Sequence, residues 1–379
     1  MKKFIATLLC VLLLIPPVQA ADLDIAAPSA ILMDAATGTI LYEKNAYEAL
    51  PPASVTKVMT LLLVMEALDA GQISWDDTVI ASDAAAAKGG SQIFLEPGEQ
   101  MSMDEMLKSV VVSSANDCAT ALAEHVAGSE ATFVERMNRR AAELNLQQTH
   151  FVNCTGLDDE PNAAEHLTSA HDIAVMSRAL LSHDEIRKYT TIWMDTVRNG
   201  TFGLSNTNKL VRFYEGTTGL KTGYTSTAGH CLAASAKRDG MELIAVVLHC
   251  ANSTERFESA KALLNYGFAN YALVSSEYTE PLSTVKVNLG KSAMLTPMLQ
   301  SAAPILVEKA ELSRVTKTVT METELASPIA QGQQIGTLTI ATPERTLAEI
   351  PIISPVRIER LSLWQLTARL LRRLCMGAP

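Results

Sequence analysis

The chain has 379 residues, 48% of them apolar and 19% charged, which suits two or three domains with buried cores and excludes a largely disordered chain. Its formal charge is −10 and its pI is near 5.3. A chain this acidic is not built to neutralise phosphates, so no nucleic-acid partner is expected.

Taken in chain order, residues 1–20 read as a targeting segment. Met1-Lys2-Lys3 is basic, Phe4 to Ile15 is a short apolar run, Pro16-Pro17 breaks it, and Val18-Gln19-Ala20 sets small residues ahead of a cut. A membrane-spanning helix needs roughly 20 apolar residues, more than this run supplies. Cys10 follows Leu9, not a small residue, which argues against lipid attachment there. The expected mature chain starts at Ala21 and is exported.

Residues 29–45 read as a strand hairpin, with Ala30-Ile31-Leu32-Met33 and Thr39-Ile40-Leu41-Tyr42 flanking a turn. A helix is expected from about Ser54 to Leu68; apolar on nearly every side, it belongs at the centre of a core. Residues 103–127 and 130–145 read as helices, and Thr168 to Leu181 as another with Thr168 as its N-cap. Then the period changes. Gly229 to Ala236 and Glu242 to His249 are strand-like, and Glu255 to Tyr266 returns to helix. This order predicts a mixed α/β domain over residues 21–272. Beyond it, Val285-Lys286-Val287, Ile305-Leu306-Val307, Thr316 to Thr320 and Gly336 to Ile340 are short alternating runs separated by Gly, Pro and Ser. Residues 273–354 therefore read as a small all-β domain.

Five cysteines remain after cleavage: Cys118, Cys154, Cys231, Cys250 and Cys375. No C-x-x-C occurs, so neither a zinc site nor a redox pair has support. Cys231 and Cys250 lie on two strands joined around Arg238-Asp239-Gly240, and hairpin register sets 231 nearer to 247 or 248 than to 250. Free thiols are expected.

Three short motifs carry chemistry. In Ser54-Val55-Thr56-Lys57, positions i and i+3 share a helix face, so Ser54 Oγ and Lys57 Nζ can meet. A serine is a weak nucleophile until a base takes its proton, and lysine is such a base only when desolvation disfavours its ammonium form. The apolar run Val58 to Val64 supplies those surroundings, and the positive end of a helix dipole lies at Ser54. In Ser114-Ala115-Asn116 a hydroxyl able to relay a proton stands two residues from an amide able to hold a peptide group. In Lys221-Thr222-Gly223, read as an edge strand, Lys and Thr suit a carboxylate while Gly leaves room for another backbone. Singly, each motif has a plain explanation: an N-cap serine with a snorkelling lysine for the first, a polar turn for the second, and chance occurrence for the third. Together, in this order and each once within residues 21–272, they do not.

On these residues the chain resembles the D-alanyl-D-alanine carboxypeptidases, the low-molecular-mass penicillin-binding serine peptidases. Pro52 to Thr60, Thr149 to Leu157 and Lys221 to Thr225 carry the resemblance strongly, and Ser327-Pro328-Ile329-Ala330-Gln331-Gly332 with Ile335-Gly336-Thr337-Leu338 extend it loosely. It implies a β-lactamase-like catalytic domain, with a helical cluster against an antiparallel sheet, followed by a small β-sandwich stalk. It implies removal of the terminal D-alanine of peptidoglycan pentapeptides through an ester on Ser54, with β-lactams as covalent inhibitors. Lys57 would be the base, Ser114 the proton relay beside Asn116, and Lys221 with Thr222 and Gly223 the seat of the substrate carboxylate. The oxyanion hole would be the backbone N–H groups of Ser54 and Tyr224. Ala115 and Tyr224 stand where relatives commonly have Gly and His. No cofactor is implied.

Other readings compete. His166 and His171 suggest a metal, but an interval of five is wrong for one helical face. A class A-like β-lactamase needs a glutamate for deacylation, usually in E-x-x-L-N, and Glu143-Leu144-Asn145 lacks that spacing. A DD-endopeptidase shares the machinery, while a non-catalytic wall-binding protein has no need of Ser54 and Lys57.

The tail has a partner of its own. Residues 355–379 contain five Arg and one Glu, a net +4, whereas residues 21–354 carry −16. From about Ile358 to Met376, Leu361, Trp364, Ala368, Leu371 and Cys375 recur at helical intervals, and Ser362, Gln365, Arg369, Arg372 and Arg373 fall opposite. The expectation is an amphipathic helix at 355–379 lying on the anionic outer face of the bacterial cytoplasmic membrane, with a helix packed on the protein's own surface as the alternative. Anchors of this kind end many members of the resembled family.

Overall fold

The computed structural model describes residues 23–159 and 162–376. The targeting segment and the side chains of Arg373, Leu374 and Cys375 lie outside them. The catalytic half is built on a five-stranded antiparallel sheet drawn from both ends of the domain. Its strands are β1 (Ser29–Asp34), β2 (Ile40–Lys44), β3 (Thr217–Thr225), β4 (Gly229–Arg238) and β5 (Met241–Cys250), in the order β2-β1-β5-β4-β3. Both faces of this sheet are covered. Ile31, Met33, Cys231, Ala233, Ile244 and Val246 face a helical cluster. Ala30, Leu32, Leu232, Ala234, Leu243 and Val247 face the long helix Ser253–Asn270. That is why these strands read as continuous apolar runs instead of alternating. It also separates Cys231 from Cys250, which belong to opposite faces. Both are free thiols, as are Cys118 and Cys154.

The helical cluster is centred on α1 (Lys57–Asp69), eleven of whose side chains are buried. Burying each large aliphatic side chain contributes about 1.5–3 kcal/mol, so α1 is the strongest single contributor to this core. The chain enters it through a 3-10 turn, Ala53–Thr56, so Ser54 sits in a tighter turn than an α-helical start would give. The helix expected over 103–127 is two helices, α2 (Met103–Ser113) and α3 (Asn116–Ala127). Ser114 ends α2 in the left-handed conformation, with φ +63°. Next come α4 (Glu130–Glu143) and α5 (Ala170–Leu181). The N-cap of α5 is Ser169, whose side chain accepts from the Asp172 N–H, and not Thr168, whose backbone pairs with Leu50.

After the long helix, α6 (Ser253–Asn270), the chain turns at once into β6 (Tyr271–Val274), which pairs with β8 (Ile305–Glu308). Between them lies β7 (Val285–Asn288); β9 (Thr316–Met321), β10 (Gln334–Ala341) and β11 (Thr346–Ile353) follow in antiparallel contact. These strands enclose a separate core that includes Val285, Val287, Leu338, Ile340, Ile350 and Ile352. The terminal helix α7 runs over Leu363–Met376, beginning five residues later than expected because Ile358 is bridged to Ile329 in the β domain.

Candidate active site

The turn that carries Ser54 is tightly held. Ala53 has φ +49°, a left-handed conformation costly for a residue with a Cβ. It is pinned from two sides. Gly156 packs so closely that a Cβ there would stand 1.9 Å from the Ala53 carbonyl oxygen. The hydroxyl of Thr56 donates to that same carbonyl at 2.8 Å. Thr56 in turn lies 2.8 Å from Nε2 of buried His166, whose Nδ1 accepts from the Val152 N–H at 3.2 Å. An Nδ1 that accepts leaves the proton on Nε2, so His166 donates to Thr56. Burial holds His166 down to about 4, which keeps it neutral in this role.

Lys57 is fully buried, and Nζ meets three oxygens: Ser54 Oγ at 2.9 Å, Asn116 Oδ1 at 2.5 Å and the Thr155 carbonyl at 2.8 Å. Among the described residues no carboxylate bonds it directly. Burial therefore dominates and pushes the ammonium from 10.5 down to about 7, against weaker attraction from Cys154 and Asp117. The partners explain how a neutral amine fits. Asn116 Oδ1 and the Thr155 carbonyl only accept, so they take its two N–H hydrogens. Ser54 alone can reverse its role and donate, which leaves the lysine lone pair facing the serine proton.

The helix break at Ser114 delivers the second motif. Had α2 continued, Ser114 and Asn116 would project in different directions around one helix; the left-handed residue turns the chain so that Asn116 starts α3 and reaches Lys57. Asn116 Nδ2 donates to the Gly89 carbonyl at 2.8 Å, fixing the amide orientation and leaving its second hydrogen for a ligand. Ser114 Oγ is buried without a hydrogen-bond partner. The loop over this motif is clamped by Asp117, which accepts from the N–H groups of Ile93 and Leu95.

The third motif lies on β3, which is an edge strand. Its close approach requires glycine: a Cβ on Gly223 would stand 2.6 Å from the Pro52 carbonyl and 3.1 Å from the Ser54 nitrogen. The strand thus runs directly against the turn that carries Ser54. Lys221 is buried, and its Nζ donates to the Thr222 carbonyl at 2.9 Å. Burial, helped by Lys57 and Arg256, drives its ammonium well below the usual range, and an anion arriving here would oppose that shift by favouring the charged form. Thr222 donates to Thr207 at 2.6 Å, and Arg256 holds the Gly223 and Cys231 carbonyls from behind. Tyr224 is exposed and stacks on His230 at 4.4 Å, so its side chain lies outside the packed strand.

The structure thus brings Ser54, Lys57 and Asn116 into direct contact, and Gly223 against Ser54. Among the described residues there is no cluster of three or more His, Cys, Asp and Glu that could hold a metal ion; His166 bonds Thr56 and Val152, and His171 stacks on Tyr47. Sequence reading missed His166 as a support of the nucleophile turn, 110 residues from Thr56. It also missed Thr207, whose N–H donates to the Val112 carbonyl, linking α2 to β3.

Comparison with known proteins shows the family. Residues 17–252 match the family model described as D-alanyl-D-alanine carboxypeptidase, and residues 272–360 match that of the penicillin-binding protein 5 C-terminal domain. The D-alanyl-D-alanine carboxypeptidase DacF of Bacillus subtilis is 41% identical over 367 residues, covering 93% of each chain. Among solved structures, penicillin binding protein 5 from Haemophilus influenzae superposes with a TM-score of 0.74 at 30% identity, over 89% of this chain and 98% of that one. Penicillin-binding protein D2 from Listeria monocytogenes, in its ampicillin-bound form, gives 0.59 at 30% identity over 64% and 98%. A buried lysine touches a serine beside an edge strand cleared by glycine, and the chain belongs to the D-alanyl-D-alanine carboxypeptidase family, low-molecular-mass penicillin-binding serine peptidases of the cell wall.

Proposed function

We propose that Ser54 is the acylated residue, Lys57 its base and Ser114 the relay that carries the proton onward. The contact between Ser54 Oγ and a lysine held down to about 7 is the observation that carries this assignment. Neutral Lys57 takes the Ser54 proton as Oγ attacks the carbonyl of the penultimate D-alanine. The oxyanion receives the N–H groups of Ser54 and Tyr224, an assignment supported by the close approach of Gly223 to the Ser54 nitrogen. The proton then passes from Lys57 through the unpartnered Ser114 hydroxyl to the leaving nitrogen, and terminal D-alanine departs. Water attacks the ester, Ser54 recovers its proton, and the shortened peptide is released. Lys221 and Thr222 hold the terminal carboxylate, and Asn116 the peptide group before the scissile bond. In a β-lactam the leaving nitrogen stays tethered to the acyl group, so the ester persists.

The enzyme acts, in this reading, on the outer face of the bacterial cytoplasmic membrane after export. The terminal helix α7 supports it. Its apolar face is not covered by the protein, with Leu363 83% and Trp364 86% exposed, while Arg369 and Arg372 lie elsewhere on the helix. No helix among the described residues is long and apolar enough to cross a membrane, so the contact would be peripheral.

Purified full-length protein should be labelled covalently by a fluorescent penicillin, and Ser54→Ala should not. Mass spectrometry of a pentapeptide ending in D-Ala-D-Ala should show loss of one alanine. Rapid penicillin hydrolysis with an intact peptide would instead indicate the β-lactamase, and cleavage of cross-linked dimers an added endopeptidase role.

A further inference from the structure

The β domain has an end unlike the rest of this acidic molecule. The turn after β7, residues 289–294, carries Leu289 and Met294, which are 44% and 50% exposed, and beside it Val356 is 51% exposed. Lys291, Met294, Leu295, Pro355, Val356 and Arg357 line a depression of 590 Å³ between them. The acid at its rim, Glu359, is paired with Lys291 at 2.5 Å and also attracts Arg357, and with the neighbouring Arg360 three cations lie beside this one acid. Large apolar side chains beside this excess of cations, on a body carrying −16, suit a surface that is anionic outside and apolar beneath.

Position decides what that surface is. The Leu361 N–H donates to the Leu289 carbonyl at 2.8 Å, the Lys291 N–H donates to the Glu359 carbonyl at 2.8 Å, and Gly290 bridges Arg360. The turn is therefore fastened to the segment from which α7 emerges. Leu361 and Leu363 are two residues apart, so at most about 7 Å separates the fastened turn from the first residue of the helix. If α7 lies in a membrane interface, this turn lies there too.

We propose that residues 289–294, with Val356 and Arg357, form a second lipid contact, in which Leu289, Met294 and Val356 enter the headgroup layer and Arg357 meets lipid phosphate. This rests on the anchor reading of α7 and deepens it. A single helix joined by a short segment would let the catalytic domain swing. Two contacts on a rigid β domain fix the orientation of the active site above the membrane.

The test uses the full chain and vesicles of phosphatidylcholine with or without phosphatidylglycerol. The triple variant Leu289→Asn, Met294→Asn, Val356→Asn should bind the anionic vesicles about tenfold more weakly than wild type, with unchanged penicillin labelling as the check on folding. Arg357→Gln should weaken binding only where phosphatidylglycerol is present. A fluorophore on Met294→Cys should be quenched by nitroxide lipids. Wild-type protein that binds while the triple variant binds equally well, with the fluorophore unquenched, overturns the second contact but leaves the helix anchor standing. Wild-type protein that never sediments with vesicles overturns the anchor, and the second contact with it. If a soluble glycerol-phosphate polymer shields the fluorophore and vesicles do not, the surface reads a wall polymer and the lipid proposal is wrong.

Discussion

The chain contains two S-x-x-K runs, Ser54-Val55-Thr56-Lys57 and Ser283-Thr284-Val285-Lys286, and they do opposite things. The first winds through a 3-10 turn into α1, so serine and lysine meet and the lysine is buried against apolar side chains. The second leads into β7, where residues three apart point to opposite faces. There Val285 and Val287 take the core, and Lys286 points to solvent with Glu324 at 2.8 Å. Helical winding is one part of the difference and desolvation without a carboxylate is the other. Four letters specify neither; the surrounding fold specifies both.

Changes at the first run should have the largest effects. Lys57→Arg keeps the positive charge and most of the length, but a guanidinium cannot give up its proton. The rate of penicillin acylation should fall by a factor of about 10³ or more. Near-normal acylation would show that burial of Lys57 serves something other than base catalysis. A smaller effect is expected one layer out. His166→Leu removes the donor to Thr56 and loosens the turn that carries Ser54, so acylation should slow by about 10–100-fold. His166→Gln, which offers an N–H at similar reach, should recover much of it. Equal loss in both would make His166 a packing residue. Least of all should happen at the second run: Ser283→Ala with Lys286→Ala should leave acylation unchanged and the melting temperature within about 2 °C.

Much of this was legible in the sequence because each feature had a local cause. The three motifs, the central helix, the change of period near residue 229 and the all-β domain follow from spacing and composition. What was missed has causes that periodicity does not register. The break at Ser114 is invisible to periodicity, because apolar residues recur on both sides of it and only the left-handed residue shows the turn. Strand β11 was passed over because Pro351 and Glu349 spoil its pattern, although it pairs with β10 along its whole length. His166 carried a metal question that its partners answer differently. The late start of α7 is set by the bridge of Ile358 to Ile329, a contact between distant parts of the chain.

If burial makes Lys57 a base near neutrality, the pH dependence of the second-order rate of acylation by a penicillin reports it. With the ammonium held down to about 7, the reactive neutral amine predominates above that pH, and the charged form below it. The rate should therefore be nearly level from pH 7.5 to 9 and fall about tenfold per unit below pH 6.5. A rate that stays level down to pH 5, or that keeps climbing to pH 10 as for a solvated lysine, would contradict the account.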